Sequence, residues 1–351
     1  MVNIELTERE KQILKCIVQN FILTANPVGS RVISKKYQLG LSPASIRNVM
    51  ADLEEMGLIY HPHTSAGRVP TDLGYRIYVD LLMEEPHLNP QVKRKIDREI
   101  NPGLIEDEEE LLKIASRILG KISSQLALVS YPQIMKAVLE KIQLVILPHK
   151  ILLVVLSLRG GIIKTIDLEF PIEIEQDKID YIQNLLNERI AGLTLEEIRN
   201  TFVDRVSDLK DEKTGIVRLF IDSLDKIFSE EKEIEKVHIS GVKNILQIPE
   251  FADTEHLQAV IELIEDREVI LHIFERTSKL ENDKILVSIG KENVVEKLSD
   301  FSVVTTKYKF GDADGVIGMI GPRRMDYPKI IAIVGYMSKL LTNILSQKLN
   351  E

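Results

Sequence analysis

The residues whose types and spacing suggest chemistry lie near the start of the chain. In SPASIRNVMADLEEMG, residues 42–57, the apolar Ile46, Val49, Met50 and Leu53 recur at helical spacing and form one stripe. That stripe turns Ala44, Ser45, Arg47, Asn48 and Ala51 to the opposite face. Small residues there let a helix approach a DNA major groove, where an Arg47 guanidinium can bond a guanine edge and an Asn48 amide an adenine edge. Further on, His61, His63, Thr64, Ser65 and Arg68 gather donors around Gly67, the composition of a loop that touches phosphates or enters a minor groove. The candidate site is therefore Ser45, Arg47 and Asn48 on a recognition helix, with His63, Thr64, Ser65, Gly67 and Arg68 on the loop. The helix face also fits the solvated side of an ordinary helical hairpin. His61 and His63 lack the further cysteine or carboxylate partners of a closed metal site.

Other motifs carry no catalytic set. The glycines of GVIGMIG, residues 315–321, do not follow the G-x-G-x-x-G order of a dinucleotide loop, so strand packing explains them better. Asp312, Asp314 and Gly315 resemble the opening of a calcium loop without its closing acid, which leaves a turn. Gly321-Pro322-Arg323-Arg324 fits a ligand loop and an interface loop equally. The single cysteine, Cys16, falls in an apolar helical pattern and is expected as a buried, inert thiol. No nucleophile with its base, no metal site and no cofactor loop emerges, so no enzyme and no cofactor are expected.

The elements that must position the candidate site can be read around it. Thr7 and Glu10 have capping-box spacing ahead of a helix over 7–24, and Ser30 is the expected cap of a short helix running to Gly40. Ser42, Pro43 and Gly57 then bound the third helix. A short strand, a polar tip, a returning strand through Val69-Pro70 and a helix from Thr71-Asp72 complete the order of a winged helix-turn-helix. Prolines and acids between Glu84 and Glu110 read as a linker enclosing a basic helix, QVKRKIDREI. Beyond it the pattern predicts an amphipathic helix over 111–130, then three strands, QLVILPHK, ILLVVLSLRG and GIIKTIDLEF, as an antiparallel meander. Helices follow at 177–190, 194–205 and 214–229, a strand at VHISG and a helix at 254–266. VILHIFE, KILVSIG, FSVVTTKYKF and GVIGMIG read as strands before a closing helix from Pro328. Its Ile330, Val334, Met337, Leu341 and Ile344 form an apolar stripe.

Composition frames these motifs. A chain of 351 residues with 44% hydrophobic and 28% charged residues suits two or three soluble domains. No run approaches the ~20 uninterrupted apolar residues of a membrane span, so no membrane partner is expected. MVNIELTEREK has neither the basic nor the apolar region of a signal peptide, and a cytoplasmic location is expected. The net charge of −9 opposes nucleic acid at first sight. Residues 1–80 nevertheless hold nine basic against eight acidic side chains, a balance of +1 that leaves −10 for the remainder. An acidic body repels DNA except at that small surface, which sharpens orientation.

Two long stretches carry a family resemblance. NVMADLEEMGLIYHPHTSAGRVPTDLGYRIYVDLLM and IGKENVVEKLSDFSVVTTKYKFGDADGVIGMIGPRRMDYPKIIAIVGYMSKLL closely resemble the HrcA family of heat-inducible transcription repressors, regulators of bacterial chaperone operons. Residues 170–235 carry no matching motif. The resemblance implies an α+β multidomain chain, and with the bounds set by the sequence pattern it has a winged helix-turn-helix over 1–83, a linker over 84–108, and a GAF-like domain from 109–141 and 233–351. Inserted into it, residues 142–232 would form a dimerisation domain with a three-stranded antiparallel sheet and helices. It also implies a homodimer on the CIRCE inverted repeat, a double-stranded DNA operator upstream of groE and dnaK, and dependence on the chaperonin GroEL. Ser45, Arg47 and Asn48 match the family's recognition helix, and His63, Thr64, Ser65, Gly67 and Arg68 its wing signature. A second function stays open, a regulator that senses a small molecule through the GAF-like domain, an architecture that often encloses a pocket.

Overall fold

The computed structural model describes residues 5–63, 66–100, 107–170, 175–209, 214–228, 237–251, 254–281 and 283–349. Among these residues the architecture is α+β, with three separate sheets whose strands pair antiparallel.

The N-terminal unit begins with α1 (Glu8–Thr24), closed at its start by the expected capping box of Thr7 and Glu10. In α2 (Ser30–Lys36) the cap position is Gly29, not Ser30, which is the buried first helical residue. That helix also ends short of Gly40, because Gln38 and Gly40 take left-handed backbone, φ 42° and 67°. α3 (Pro43–Glu55) starts as its sequence predicts, with Ser42 accepting from the Ser45 N–H at 3.1 Å. Ile46, Met50 and Leu53 are buried and Val49 is half-buried, against α1 and α2. β1 (Ile59–Tyr60) and β2 (Val69–Pro70) form a short ladder, widened by a bridge between Val28 and Arg68. Thr71 caps α4 (Asp72–Ile77), which runs on as a π-helical turn over Tyr78–Leu82. Cys16 is buried, and burial pushes its thiol up to about 11, so it stays protonated and inert. Within the segment read as a linker, α5 (Pro90–Glu99) is held down by the fully buried Ile96.

The chain next forms α6 (Glu108–Ser123) and β3 (Leu126–Ser130). A single helix over 111–130 was the expectation; the chain breaks at Ser124, which takes left-handed backbone. Leu126 to Ser130 then enter a sheet with both faces covered, so the strand has no polar alternation to reveal it.

β4 (Leu139–Leu147), β5 (Ile151–Leu158) and β6 (Ile163–Glu169) form the expected meander. One face packs under α7 (Gln176–Ile190) and α8 (Leu195–Arg205), with Leu152, Val154 and Leu156 buried alongside Ile182, Leu186 and Phe202. The outer edge of β4 is closed by helix side chains. Asn187 accepts from the Ile142 N–H at 2.8 Å and donates to its carbonyl at 2.9 Å, while Gln183 accepts from the Leu144 N–H at 2.9 Å. The helix expected over 214–229 is two pieces, α9 (Ile216–Asp222) and α10 (Leu224–Ile227), broken at Ser223.

β7 (Val237–Ser240) returns beside β3, followed by α11 (Val242–Ile245), α12 (Thr254–Glu265) and α13 (Arg267–Ser278). The last corrects the strand expected at VILHIFE. Val269, Ile270, Ile273 and Phe274 line one helical face, and Asp266 caps it. β8 (Leu286–Ile289), β9 (Phe301–Phe310) and β10 (Ala313–Pro322) complete a five-stranded sheet of order β7-β3-β10-β9-β8. In β10, a Cβ on Gly315 would meet the Tyr308 ring at 2.2 Å, which accounts for that glycine by packing. α14 (Tyr327–Lys348) closes the chain. It is the one described helix long and apolar enough to cross a membrane, yet Ile330, Val334, Met337, Leu341 and Ile344 are buried in the core it shares with β9.

Candidate nucleic-acid interface

Ser45, Arg47 and Asn48 stand exposed on α3 because their neighbours at helical spacing point inward. The Ser45 hydroxyl lies 3.0 Å from that of Ser42, within the helix cap. Among the described residues, Arg47 and Asn48 have no ion-pair or hydrogen-bonding side-chain partner, so both keep their donors for an incoming group. Arg31, Lys35 and Lys36 add exposed cations on α2.

The loop between β1 and β2 folds against this helix. A cleft of about 360 Å³ separates them, and Arg47, His61, Gly67 and Arg68 are among its walls. His63 is exposed at the tip, its carbonyl accepting from the Ala66 N–H at 2.9 Å; Thr64 and Ser65 lie outside the described residues. Gly67 sits where no side chain fits: a Cβ there would come within 2.5 Å of the Val28 carbonyl carbon. Next to it, Arg68 exchanges both backbone hydrogen bonds with Val28, at 2.8 and 2.9 Å.

The Arg68 side chain turns inward. Its guanidinium meets Glu54 of α3 at 2.8 Å and also contacts His61, whose Nδ1 lies 2.5 Å from the other Glu54 oxygen. His61 donating from Nδ1 and accepting at Nε2 satisfies both contacts. With the Arg68 side chain only 14% exposed and Glu54 30%, this triad fastens the loop to α3. The sequence singles out Arg68 but not Glu54, because no local spacing links two residues fourteen apart across the loop.

A second set of contacts docks the unit on the five-stranded domain. Arg76 of α4 forks onto Glu292 at 2.7 and 2.5 Å and donates to the Val287 carbonyl at 2.6 Å. Asp72 accepts from the Lys291 N–H at 3.0 Å and from Arg323 at 3.2 Å. Arg324 donates to the Ile22 carbonyl at 2.6 Å and to Glu250 at 3.0 Å. Of the Gly321-Pro322-Arg323-Arg324 segment, open between two readings in the sequence, Gly321 and Pro322 end β10, and Arg323 and Arg324 just past it make contacts between the two units.

Comparisons with known proteins agree in direction. The family described as HrcA protein C terminal domain matches residues 109–331. The heat-inducible transcription repressor HrcA of Chlorobium phaeobacteroides (strain BS1) is 39% identical over 351 residues, covering 97% of this chain and 99% of its own. The protein of the same name from Chlorobaculum tepidum is 41% identical, covering 97% and 98%. A crystal structure of a hypothetical protein at 2.2 Å resolution shares the fold, with a TM-score of 0.58, 24% identity, and coverage of 98% of this chain and 99% of that one.

Proposed function

The chain belongs to the HrcA family of heat-inducible transcription repressors, and on that footing we propose that it holds a palindromic operator as a homodimer, α3 reading bases while the β1–β2 loop grips the backbone. It is a transcriptional regulator and not an enzyme. In this reading, residues 1–83 act as a winged helix-turn-helix and 84–108 as the connector. Residues 109–141 and 233–351 act as a GAF-like domain, and 142–232 as the dimerisation domain. The operator is CIRCE, upstream of groE and dnaK in the cytoplasm, and GroEL returns the repressor to its DNA-competent state.

One observation carries the reading: Arg47 and Asn48 are exposed on α3 and, among the described residues, unpaired, beside a loop pinned to that helix by Arg68 and Glu54. Ser45, Arg47 and Asn48 face the major groove; His63, Thr64, Ser65 and Gly67 meet phosphates or the minor groove, and Arg68 sets the loop's position. Arg47→Ala is expected to weaken operator binding by about 1–3 kcal/mol and relax preference at one base. Equal affinity of mutant and wild type for a CIRCE duplex at matched salt refutes the assignment.

The dimer is supported by the outer face of the three-stranded sheet, where Val145 and Ile163 are 44% and 65% exposed beside half-buried Leu153 and Val155. Val145→Arg should shift the sedimenting species from dimer to monomer. For the chaperonin, operator occupancy after a mild heat pulse should recover with GroEL and ATP; no recovery despite demonstrated binding removes that part.

A further inference from the structure

Between the N-terminal unit and the five-stranded domain lies a cleft of about 580 Å³. That is inside the roughly 300–1,000 Å³ of small-molecule sites, and domain boundaries are where such sites concentrate. Phe21, Leu73 and Phe251 contribute apolar wall, and Lys291 and Arg323 contribute charge. The Lys291 ammonium is exposed and, among the described residues, has no ion-pair partner. Arg323, 44% exposed, makes one contact each to Asp72 and Asp300, at 3.2 and 3.3 Å. A guanidinium has more donors than these two contacts use. The carboxylates Asp72, Glu250 and Asp300 also line the cleft and balance Lys291, Arg323 and Arg324, but each is held by Arg323 or Arg324, so the charged group left for an incoming partner is the Lys291 ammonium.

The independent sign of a ligand is Tyr75. The residue is 2% exposed, its ring stands 6.0 Å from that of Tyr327, and its buried hydroxyl has no hydrogen-bond partner among the described residues. A buried hydroxyl left unpaired is costly, and such groups are rare in folded proteins unless something else satisfies them. Burial pushes this phenol well above its ordinary range, so the group remains an O–H donor at any physiological pH.

We propose that the cleft binds a small organic anion, its carboxylate or phosphate on Lys291 and Arg323, its apolar body on Phe21, Leu73 and Phe251, and a polar atom on the Tyr75 hydroxyl. Both units supply walls, so the ligand favours the arrangement in which they are docked and shifts the molecule toward it by its differential affinity. The site does not depend on which operator the chain binds.

The test is calorimetric titration of the full chain with phenyl phosphate and with 4-hydroxyphenylacetate, using benzyl alcohol as the neutral comparison. At least one anion should bind saturably, one per chain, and raise the melting temperature, while benzyl alcohol should not. Lys291→Ala, at an exposed position, should weaken binding about tenfold through loss of a charge-assisted contact. Tyr75→Phe should melt no lower than wild type without probe, since it removes the orphan hydroxyl, yet bind several-fold more weakly. A purely structural tyrosine would not give that split. Absence of saturable binding by both anions at millimolar concentration overturns the proposal. So does binding that neither substitution changes.

Discussion

Glu54→Gln tests whether α3, the proposed recognition helix, positions the loop. The amide keeps the volume and removes the charge that holds Arg68 at 2.8 Å and His61 at 2.5 Å. An exposed ion pair contributes about 0–1 kcal/mol, and breaking a fully buried one costs about 3–5 kcal/mol. With side chains 14% and 30% exposed, this pair lies between those limits, and about 1–2 kcal/mol is expected after discounting for solvent. That corresponds to roughly a 5–30-fold loss of the ordered loop, and of the operator affinity that needs it. A second effect has the opposite sign. Removing a carboxylate and releasing a guanidinium near DNA raises affinity for any sequence, and a new phosphate contact would steepen the salt slope by about one unit. The diagnostic is therefore the ratio of affinities for the inverted repeat and a scrambled duplex, measured by fluorescence anisotropy across a salt series. It should fall about tenfold, while binding to scrambled DNA holds or rises. An unchanged ratio with an intact helical spectrum refutes the clamp.

Gly67→Ala should displace the loop, since its Cβ would lie 2.5–2.7 Å from Val28 and Pro27 backbone atoms; operator affinity should drop severely, whereas Gly29→Ala, with nothing within 4 Å, should retain it in the same anisotropy assay. Asn187→Leu leaves the Ile142 N–H and carbonyl without their partner at the β4 edge, and urea titration should show a loss of about 2–3 kcal/mol. Glu292→Gln weakens the fork from Arg76 across the domain seam, whose side chains are 34% and 23% exposed. Hydrogen exchange should speed up in α4 by an amount equivalent to about 1–2 kcal/mol, with α14 unaffected.

What the sequence revealed depended on how local its cause was. Thr7 with Glu10, and Ser42 with Pro43, state helix starts in a few residues, and both caps are present. The exposed row of Ser45, Arg47 and Asn48 was readable because Ile46, Met50 and Leu53 fix which side of α3 is buried. Where burial is two-sided the period disappears: LALVS in β3 has no polar face and merged with the preceding helix. VILHIFE is β-branched in composition but helical in spacing, and its cap at Asp266 decides for helix. Pairings made only by the fold were out of reach. Arg323 meets Asp72 across 251 residues and Arg76 meets Glu292 across 216, and no local pattern links them.

The five residues Arg68 to Asp72 bind these two sets of contacts into one path. At one end, Arg68 holds Glu54 on α3. In the middle, Val69 and Pro70 form β2, while Thr71 donates to the Gly57 carbonyl at 2.7 Å and to the Leu58 carbonyl at 3.0 Å, just past the end of α3. At the other end, Asp72 is held by the Lys291 backbone and by Arg323 of the five-stranded domain. An extended stretch this short, hydrogen-bonded along its length, transmits displacement because it has little slack to absorb it. The Arg323 segment and the short helix Gly290–Glu292 are thereby connected, through Asp72 and Arg68, to the loop and to α3. The Arg47 and Asn48 side chains stay exposed on α3, while the backbone that carries them is tied through Arg68 and Asp72 to the five-stranded domain.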